Sequence, residues 1–248
     1  MIYKTIQEFL IADNRQTVIF TCANYAIVEM TENLVRSANK TGVPLVVFAL
    51  DEKIANALDP LCTVVMYDLN ITDSTFYAFG EEDYAALTFS RWAIWGNLLA
   101  RGRTIIHLDA DIVILKNFVD DVLQELQGYD CVMQHVDLAG NPEGCPGFLA
   151  VKPGVATRMF TIEFLAQHNY KTYINDQDFF NKVVGKKIEY TLLALDNYPH
   201  FKHYKGKQDA LKDKCYIIHF NFIIGYQPKI EEMKNCGLWD ICETNKIQ

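Results

Sequence analysis

The stretch from Thr104 to Leu115, TIIHLDADIVIL, is an apolar run interrupted at its centre by two carboxylates. Asp109 and Asp111 stand two positions apart, and side chains two apart on a strand share a face. Like charges on one face repel each other, so packing alone explains this pattern poorly. The pattern predicts that a positive group lies between the two aspartates, and a divalent cation with oxygen ligands is the natural candidate.

The composition of the 248-residue chain narrows the class of protein. Hydrophobic residues make up 50% and charged residues 22% of it, which is ordinary for a globular protein. The net charge is -8, so we expect no binding to nucleic acid or anionic lipid through a general basic surface. The seven cysteines are scattered without a C-x-x-C pair, which indicates reduced thiols. No signal peptide and no transmembrane segment of roughly 20 apolar residues is recognised, so we expect a cytoplasmic protein.

Strands and helices alternate in the first half of the chain. Apolar runs at 17–22, 45–50 and 62–67 are predicted strands, and the first is followed by a helix that Gly42 ends. Strands that are apolar on both faces and alternate with helices predict a mostly parallel sheet covered on both sides. A helix at 84–101 then precedes the Asp109 strand. The carboxylates thus fall at the end of about the fourth strand, where ligands bind in open α/β sheets.

The predicted strands become shorter after Leu115 and are separated by turns rich in glycine and proline. Further strands are predicted at 131–136, 148–151, 188–195 and 215–219, with helices near 155–168 and 176–184. We see no linker or internal repeat in the sequence. A single α/β domain is therefore expected.

Two chemistries compete for the pair of aspartates. In one, they hold a metal that grips a diphosphate. In the other, they are the nucleophile and the acid/base of an aspartate-dependent, HAD-like phosphatase, whose first motif, D-x-D-x-T/V after an apolar strand, is satisfied by DADIV at 109–113. That motif normally opens its domain, whereas about a hundred residues precede it here. No later G-D-x-x-x-D cluster is present either.

A second polar element follows the last predicted strand, in IIHFNFIIGYQPK at 217–229. His219 ends the strand and could complete the ligand set of a metal such as Mn²⁺, which accepts imidazole beside carboxylate. Gly225 would let the backbone approach a phosphate, and Lys229 could neutralise that phosphate.

With these motifs the sequence resembles the GT-A fold nucleotide-sugar glycosyltransferases, most closely the retaining family 77 and more distantly family 8. The resemblance is carried, in the family's order, by residues 21–38, 107–115, 147–148, 175–181 and 219–225. It implies a Rossmann-like, three-layer α/β/α domain over 1–248 with a mostly parallel central sheet. About 1–115 would form the nucleotide-binding half, and about 116–248 would hold the sugar, the acceptor and a closing C-terminal segment.

The resemblance also implies a role for individual positions. The nucleoside would be held by Thr21, Ala23 and Asn24, and the metal by Asp109, Asp111 and His219. The diphosphate and donor sugar would be contacted by Arg91, Asp109, Ala110, Asp137, Gly147, Gly225 and Lys229. Charge at the anomeric carbon would be stabilised by Gln177 and Asp178. One departure is Cys145, which stands where the family usually has the asparagine of N-T-G-F.

The implied activity is transfer of a hexose or pentose from a nucleoside diphosphate, UDP by resemblance, to a hydroxyl of a glycan or similar acceptor. The implied cofactor is Mn²⁺ or Mg²⁺, and the anomeric configuration would be retained. Two other classes stay open on the sequence: the HAD-like phosphatase and a non-catalytic sugar-nucleotide-binding module.

Overall fold

A computed structural model describes residues 1–68, 75–77, 82–138, 141–154, 157 and 175–241. Side chains at 82–83, 85–87, 90, 137–138 and 141 are outside the described part as well. The helix predicted near 155–168 therefore lies outside the described residues, apart from Thr157.

Ten strands and nine helices are described in these ranges. The strands are β1 (Ile2–Tyr3), β2 (Thr17–Ala23), β3 (Leu45–Ala49), β4 (Thr63–Met66), β5 (Thr104–Leu108), β6 (Ile112–Ile114), β7 (Cys131–Leu138), β8 (Asn141–Val151), β9 (Tyr190–Leu192) and β10 (Ile217–His219). The helices are α1 (Ile6–Ala12), α2 (Val28–Thr41), α3 (Glu52–Leu58), α4 (Glu82–Ala100), α5 (Val119–Glu125), α6 (Asp176–Lys182), α7 (Phe201–Tyr204), α8 (Gln208–Leu211) and α9 (Tyr226–Asn235).

Eight strands form the central sheet in the order β1-β4-β3-β2-β5-β8-β7-β9. The pairs from β1 to β5 and the pair β7–β9 are parallel, while β8 is antiparallel to both of its neighbours. The sheet is therefore mostly parallel, as the sequence predicts. It takes strands from both sides of residue 115, so the two halves of the chain share one sheet.

Two apolar cores lie on opposite faces of this sheet. Along β2, Ile19 packs into the core that contains residues of α2, α3 and α5. Val18 and Phe20 point the other way, into the core that contains residues of α1, α4 and α6. This alternation confirms the three-layer α/β/α class, because a sheet that is buried on both faces needs apolar residues at successive positions.

The stretch 104–115 is not one continuous strand, which corrects the sequence interpretation. β5 ends at Leu108, and a turn follows in which the N–H of Ile112 donates to the carbonyl of Asp109 at 3.2 Å. β6 then leaves the central sheet and pairs antiparallel with β10. Asp109 and Asp111 thus lie in a turn between two sheets rather than on one face of a strand.

The short N-terminal elements β1 and α1 are not predicted by the sequence. β1 pairs with β4 at the edge of the sheet, and α1 follows it. The Asp109 strand is consequently the fifth in chain order, not the fourth. A two-residue strand carries no measurable periodicity, so only its pairing with β4 reveals it.

Six of the seven cysteines lie in the described part of the chain. Cys22, Cys62, Cys131, Cys145, Cys215 and Cys236 are all free thiols. None of the described helices combines the length and apolar character needed to cross a membrane.

Candidate functional site

Asp109, Asp111 and His219 converge in the structure. Each offers one ligand atom, and these atoms all lie within 4.8 Å of one another. Nε2 of His219 is 3.2 Å from Oδ1 of Asp111 and 3.8 Å from Oδ2 of Asp109. Two carboxylates and an imidazole form a donor set that suits Mn²⁺ and similar cations. Proximity therefore supports the predicted ligand set.

Backbone pairing brings the three side chains together. The antiparallel register of β6 and β10 places His219 opposite Ile112, and the N–H of Phe220 donates to the carbonyl of Asp111 at 2.9 Å. On the other side, the N–H of Asp109 donates to the carbonyl of Gly147 at 2.7 Å, where β8 runs beside β5. The site is thus built at the junction of the central sheet and the two-stranded sheet.

Positive groups surround the two carboxylates. Nζ of Lys229 is 2.6 Å from Oδ2 of Asp111, and Nη1 of Arg91 contacts Oδ1 of Asp109. Burial opposes ionisation of both aspartates, but Arg91 beside Asp109 and Lys229 beside Asp111 hold the pKa of each carboxyl well below its usual range. Burial also opposes protonation of His219, yet Asp111 raises its pKa to about 10. The carboxylate of Asp111 thus attracts positive charge at Nε2 of His219, the ring nitrogen that lies closest to both aspartates.

Gly147 leaves the space that these ligands need. A Cβ atom at this position would lie 2.5 Å from Oδ2 of Asp109 and 2.5 Å from Cε1 of His219. Both distances are far inside van der Waals contact. Any larger residue here would displace the carboxylate of Asp109 or the imidazole of His219.

Arg91 forms a buried ion pair with Asp176. Its Nε and Nη2 lie 2.7 and 2.5 Å from Oδ2 of Asp176, which also accepts from Nε1 of Trp92 at 3.0 Å. The two charged side chains are only 7% and 3% exposed. Burial opposes the charge of Arg91, but Asp109 and Asp176 raise its pKa above the usual value. Arg91 therefore ties α4 to the start of α6 and to the Asp109 turn.

A cavity of about 580 Å³ opens over these groups, within the size range that accommodates small molecules and cofactors. The predicted site residues that line it are Arg91, Asp109, Asp111, Gly147, Gln177, Asp178, His219, Gly225 and Lys229. Gln177 and Asp178 belong to the first turn of α6. The cap of that helix is Asn175, whose Oδ1 accepts from the N–H of Asp178 at 2.9 Å. The carboxylate of Asp178 contacts Lys182 instead, at 2.7 Å.

Several predicted site residues are not among the described residues that line this cavity. Thr21 and Ala23 lie in β2 and are buried, and Oγ1 of Thr21 has no hydrogen-bond partner among the described residues. Asn24 follows them and donates from Nδ2 to the carbonyl of Thr75 at 3.0 Å. Ala110 is buried in the turn. The backbone of Asp137 belongs to β7, but its side chain lies outside the described part. Their roles in binding stay predictions.

The structure adds residues that the sequence did not single out. Asp176, at the start of the helix predicted near 176–184, is buried against Arg91. Asn221 lines the cavity, and its Oδ1 is buried without a hydrogen-bond partner in the described chain. Its Nδ2 lies 4.0 Å from Sγ of Cys145, which also lines the cavity. In the sequence, Asn221 could have been found by its position two residues after His219.

The sequence profile of the nucleotide-diphospho-sugar transferase family matches residues 43–233. Among curated proteins, the chain is 23% identical over 196 residues to UDP-D-xylose:L-fucose alpha-1,3-D-xylosyltransferase 1 of Arabidopsis thaliana. This match covers 68% of the chain and 54% of the relative. The chain therefore spans about half the length of that curated relative.

Solved structures of glycosyltransferases show the same fold. The glycosyltransferase GlyE of Streptococcus pneumoniae TIGR4 aligns with a TM-score of 0.57 and 13% identity over 94% of this chain and 66% of its own. The galactosyltransferase LgtC, solved with donor and acceptor sugar analogues, aligns with a TM-score of 0.59 and 12% identity over 91% of this chain and 97% of its own. The profile match covers most of the sequence, and the fold agrees with it. The chain belongs to the nucleotide-diphospho-sugar transferase family and has the GT-A glycosyltransferase fold.

Proposed function

We propose that this protein is a metal-dependent glycosyltransferase that transfers a sugar from a UDP-sugar donor to a hydroxyl of a glycan or similar acceptor, with retention of anomeric configuration. The observation that carries the proposal is the convergence of Asp109, Asp111 and His219 at a cavity of about 580 Å³. Membership of the family favours a nucleotide-sugar donor.

Asp109, Asp111 and His219 would hold Mn²⁺ or Mg²⁺ in this site. A cation bound there acts as a Lewis acid that stabilises the charge on the departing diphosphate. Arg91 and Lys229 keep the two carboxylates ionised. Lys229 lies on α9, which begins directly after Gly225, and it lines the cavity, where its ammonium could meet a phosphate as well as Asp111.

Gln177 and Asp178 are the proposed catalytic residues. Both line the cavity from the first turn of α6 and would stabilise positive charge at the anomeric carbon as the leaving group departs. Asp176, just before them, is buried and held by Arg91 and Trp92. Retention would be explained by front-side attack, in which the departing phosphate would help to deprotonate the acceptor hydroxyl.

The phosphatase and the non-catalytic binding module would each use Asp109 differently. A phosphatase would need Asp109 as a nucleophile, but its Oδ1 already contacts Arg91 and its Oδ2 faces His219. The geometry and the family match both favour transfer over hydrolysis of phosphate esters. A non-catalytic binding module would use the same contacts without turnover, so only an assay separates it from an enzyme.

A panel of nucleotide sugars provides that assay. The chain would be incubated with Mn²⁺ and, separately, UDP-xylose and UDP-hexoses, and slow release of UDP would be measured. UDP-xylose is included because the Arabidopsis relative is named for it, and UDP-galactose because LgtC is a galactosyltransferase. We expect UDP release with one of these donors. Hydrolysis of a simple phosphate ester, with no UDP release and no thermal shift by any nucleotide, would sink the transferase proposal.

The substitutions Asp111→Asn and His219→Ala are each expected to abolish metal-dependent UDP binding. Changing a residue that merely supports a metal ligand typically costs 10- to 100-fold in affinity, so loss of a ligand should cost at least about 100-fold. Titration calorimetry with Mn²⁺ and UDP measures this loss. The matched controls are Asp209→Asn, at a fully exposed carboxylate, and His203→Ala. Normal metal affinity in both site variants would remove these residues from the site.

The substitution Lys229→Met is expected to weaken UDP binding about tenfold. A hydrogen bond to a charged group contributes about 1.5–3 kcal/mol, which corresponds to at least that factor. The control is Lys234→Met on the same helix, whose ammonium lies over the ring of Trp239 at 5.9 Å. Equal UDP affinity in the two variants would show that Lys229 does not contact the diphosphate.

A further inference from the structure

Gln134 lies behind His219, on the side away from the carboxylates. Its side chain is fully buried in β7, and its Oε1 is 2.6 Å from Nδ1 of His219. Its Nε2 donates to the carbonyl of Tyr198 at 3.1 Å. The amide therefore spans the gap between the imidazole and a backbone carbonyl.

These two contacts determine which way the amide points. The carbonyl of Tyr198 can only accept a hydrogen bond, so it must face the NH₂ group of Gln134. The amide oxygen is left for His219, and it too can only accept, so Nδ1 must carry a proton. The second ring nitrogen, Nε2, is then the one directed at the carboxylates, 3.2 Å from Oδ1 of Asp111. In neutral imidazole that nitrogen has the free lone pair.

The residues around Gln134 are held firmly on both sides. Tyr198 is 1% exposed, its hydroxyl donates to Oδ2 of Asp121 at 2.6 Å, and its ring stacks on Tyr216 with centroids 5.3 Å apart. The backbone of His219 is fixed by β6 and by its N–H, which donates to the carbonyl of Pro199 at 3.1 Å. A register shift in the β7–β8 pairing falls between Met133 and Gln134. Bulges of this kind re-aim a side chain.

From this geometry we infer that Gln134 is a positioning residue for the cation site. Gln134 keeps the proton of His219 on Nδ1 and fixes the imidazole ring. The lone pair of Nε2 then points at a cation bound between Asp109 and Asp111. Hydrogen bonds that orient a ligating histidine in this way usually account for a substantial share of metal affinity. The inference rests on the metal site proposed above. It attributes part of the metal affinity of that site to Gln134, a residue of β7 that does not line the cavity.

The test compares two substitutions at Gln134 in the full chain. Gln134→Met keeps the length of the side chain but removes the acceptor, and we expect Mn²⁺ binding to weaken about 10- to 100-fold, as measured by electron paramagnetic resonance titration. Gln134→Glu keeps an oxygen opposite Nδ1 and can donate to the carbonyl of Tyr198 only when its other oxygen is protonated, so we expect it to recover part of that loss. The control is Val132→Ala, which removes buried packing from the same strand without removing a polar contact. It should unfold more easily but bind Mn²⁺ normally.

A second readout reports the ring nitrogens directly and needs no variant. In chain labelled with ¹⁵N-histidine and loaded with Zn²⁺ as a diamagnetic probe, His219 should show a protonated Nδ1 and a metal-bound Nε2. A metal-bound Nδ1, or equal Mn²⁺ affinity in the wild type and in Gln134→Met, would overturn the role of Gln134. An equal loss of Mn²⁺ affinity in Val132→Ala would overturn it as well. Absence of Mn²⁺ binding by the wild-type chain would instead overturn the cation site itself.

Discussion

The substitution Gly147→Ala is expected to abolish cation binding and UDP release while the chain stays folded. The added methyl group would lie 2.5 Å from both Oδ2 of Asp109 and Cε1 of His219. Asp109 is held by Arg91, and His219 is held by β6, so neither can move away freely. Displacing a ligand should weaken Mn²⁺ binding by at least about 100-fold. The stability cost of such overpacking is about 1–3 kcal/mol. Calorimetric titration with Mn²⁺ and urea unfolding measure the two effects separately.

The matched control for this prediction is Gly128→Ala. A Cβ at Gly128, at the end of a short 3₁₀ turn, would meet nothing within 4 Å. This variant should bind Mn²⁺ and release UDP as the wild type does. If Gly147→Ala also kept full Mn²⁺ affinity, the cation could not lie between Asp109 and His219, and the proposed ligand set would be wrong.

The substitution Arg91→Met is expected to lower the free energy of unfolding by about 3–5 kcal/mol. The carboxylate of Asp176 stays buried and keeps its hydrogen bond from Nε1 of Trp92, but it loses the guanidinium of Arg91. Asp109 loses the same guanidinium. An uncompensated buried charge costs far more than an exposed ion pair contributes. Urea denaturation followed by circular dichroism measures the change.

Two further variants separate this explanation from a general loss of charge. In Arg91→Met combined with Asp176→Leu, part of the stability should return, because a buried pair replaced by apolar side chains is often neutral. Arg36→Met removes an arginine of α2 that pairs with Glu32 and is 38% exposed. Its effect should stay within about 1 kcal/mol, as expected for surface ion pairs. Equal stability of the wild type and Arg91→Met would show that Arg91 does not anchor Asp176.

Three of the residues that line the cavity could be singled out from the sequence because they stand at element boundaries. Asp109 and Asp111 interrupt an apolar run, and His219 ends another. Residues of these types, placed where strands end, indicate a cation site without knowledge of any contact. The strand and helix pattern of 17–108 was predictable for a similar reason, since burial on both faces leaves a continuous apolar run that local periodicity reveals.

The rest depends on contacts between residues far apart in the chain. Arg91 meets Asp176 across 85 positions, and Gln134 meets His219 across the same separation. Neither contact leaves a mark in the local sequence, because a buried arginine or glutamine is recognisable only by the partner that satisfies it. The division of 104–115 between two sheets likewise depends on β10, which is more than a hundred residues away.

The sequence by itself therefore determined the α/β class and the mostly parallel sheet, and it singled out Asp109, Asp111 and His219, whose side chains converge in the structure. The tertiary structure alone decided that Asp109 and Asp111 lie in a turn, that Arg91 is buried, and that Gln134 hydrogen-bonds to His219 while Gly147 lies close beside it. The physical reason is that periodicity records which face of an element is buried. The identity of the group across that buried face is fixed only when distant segments pack together.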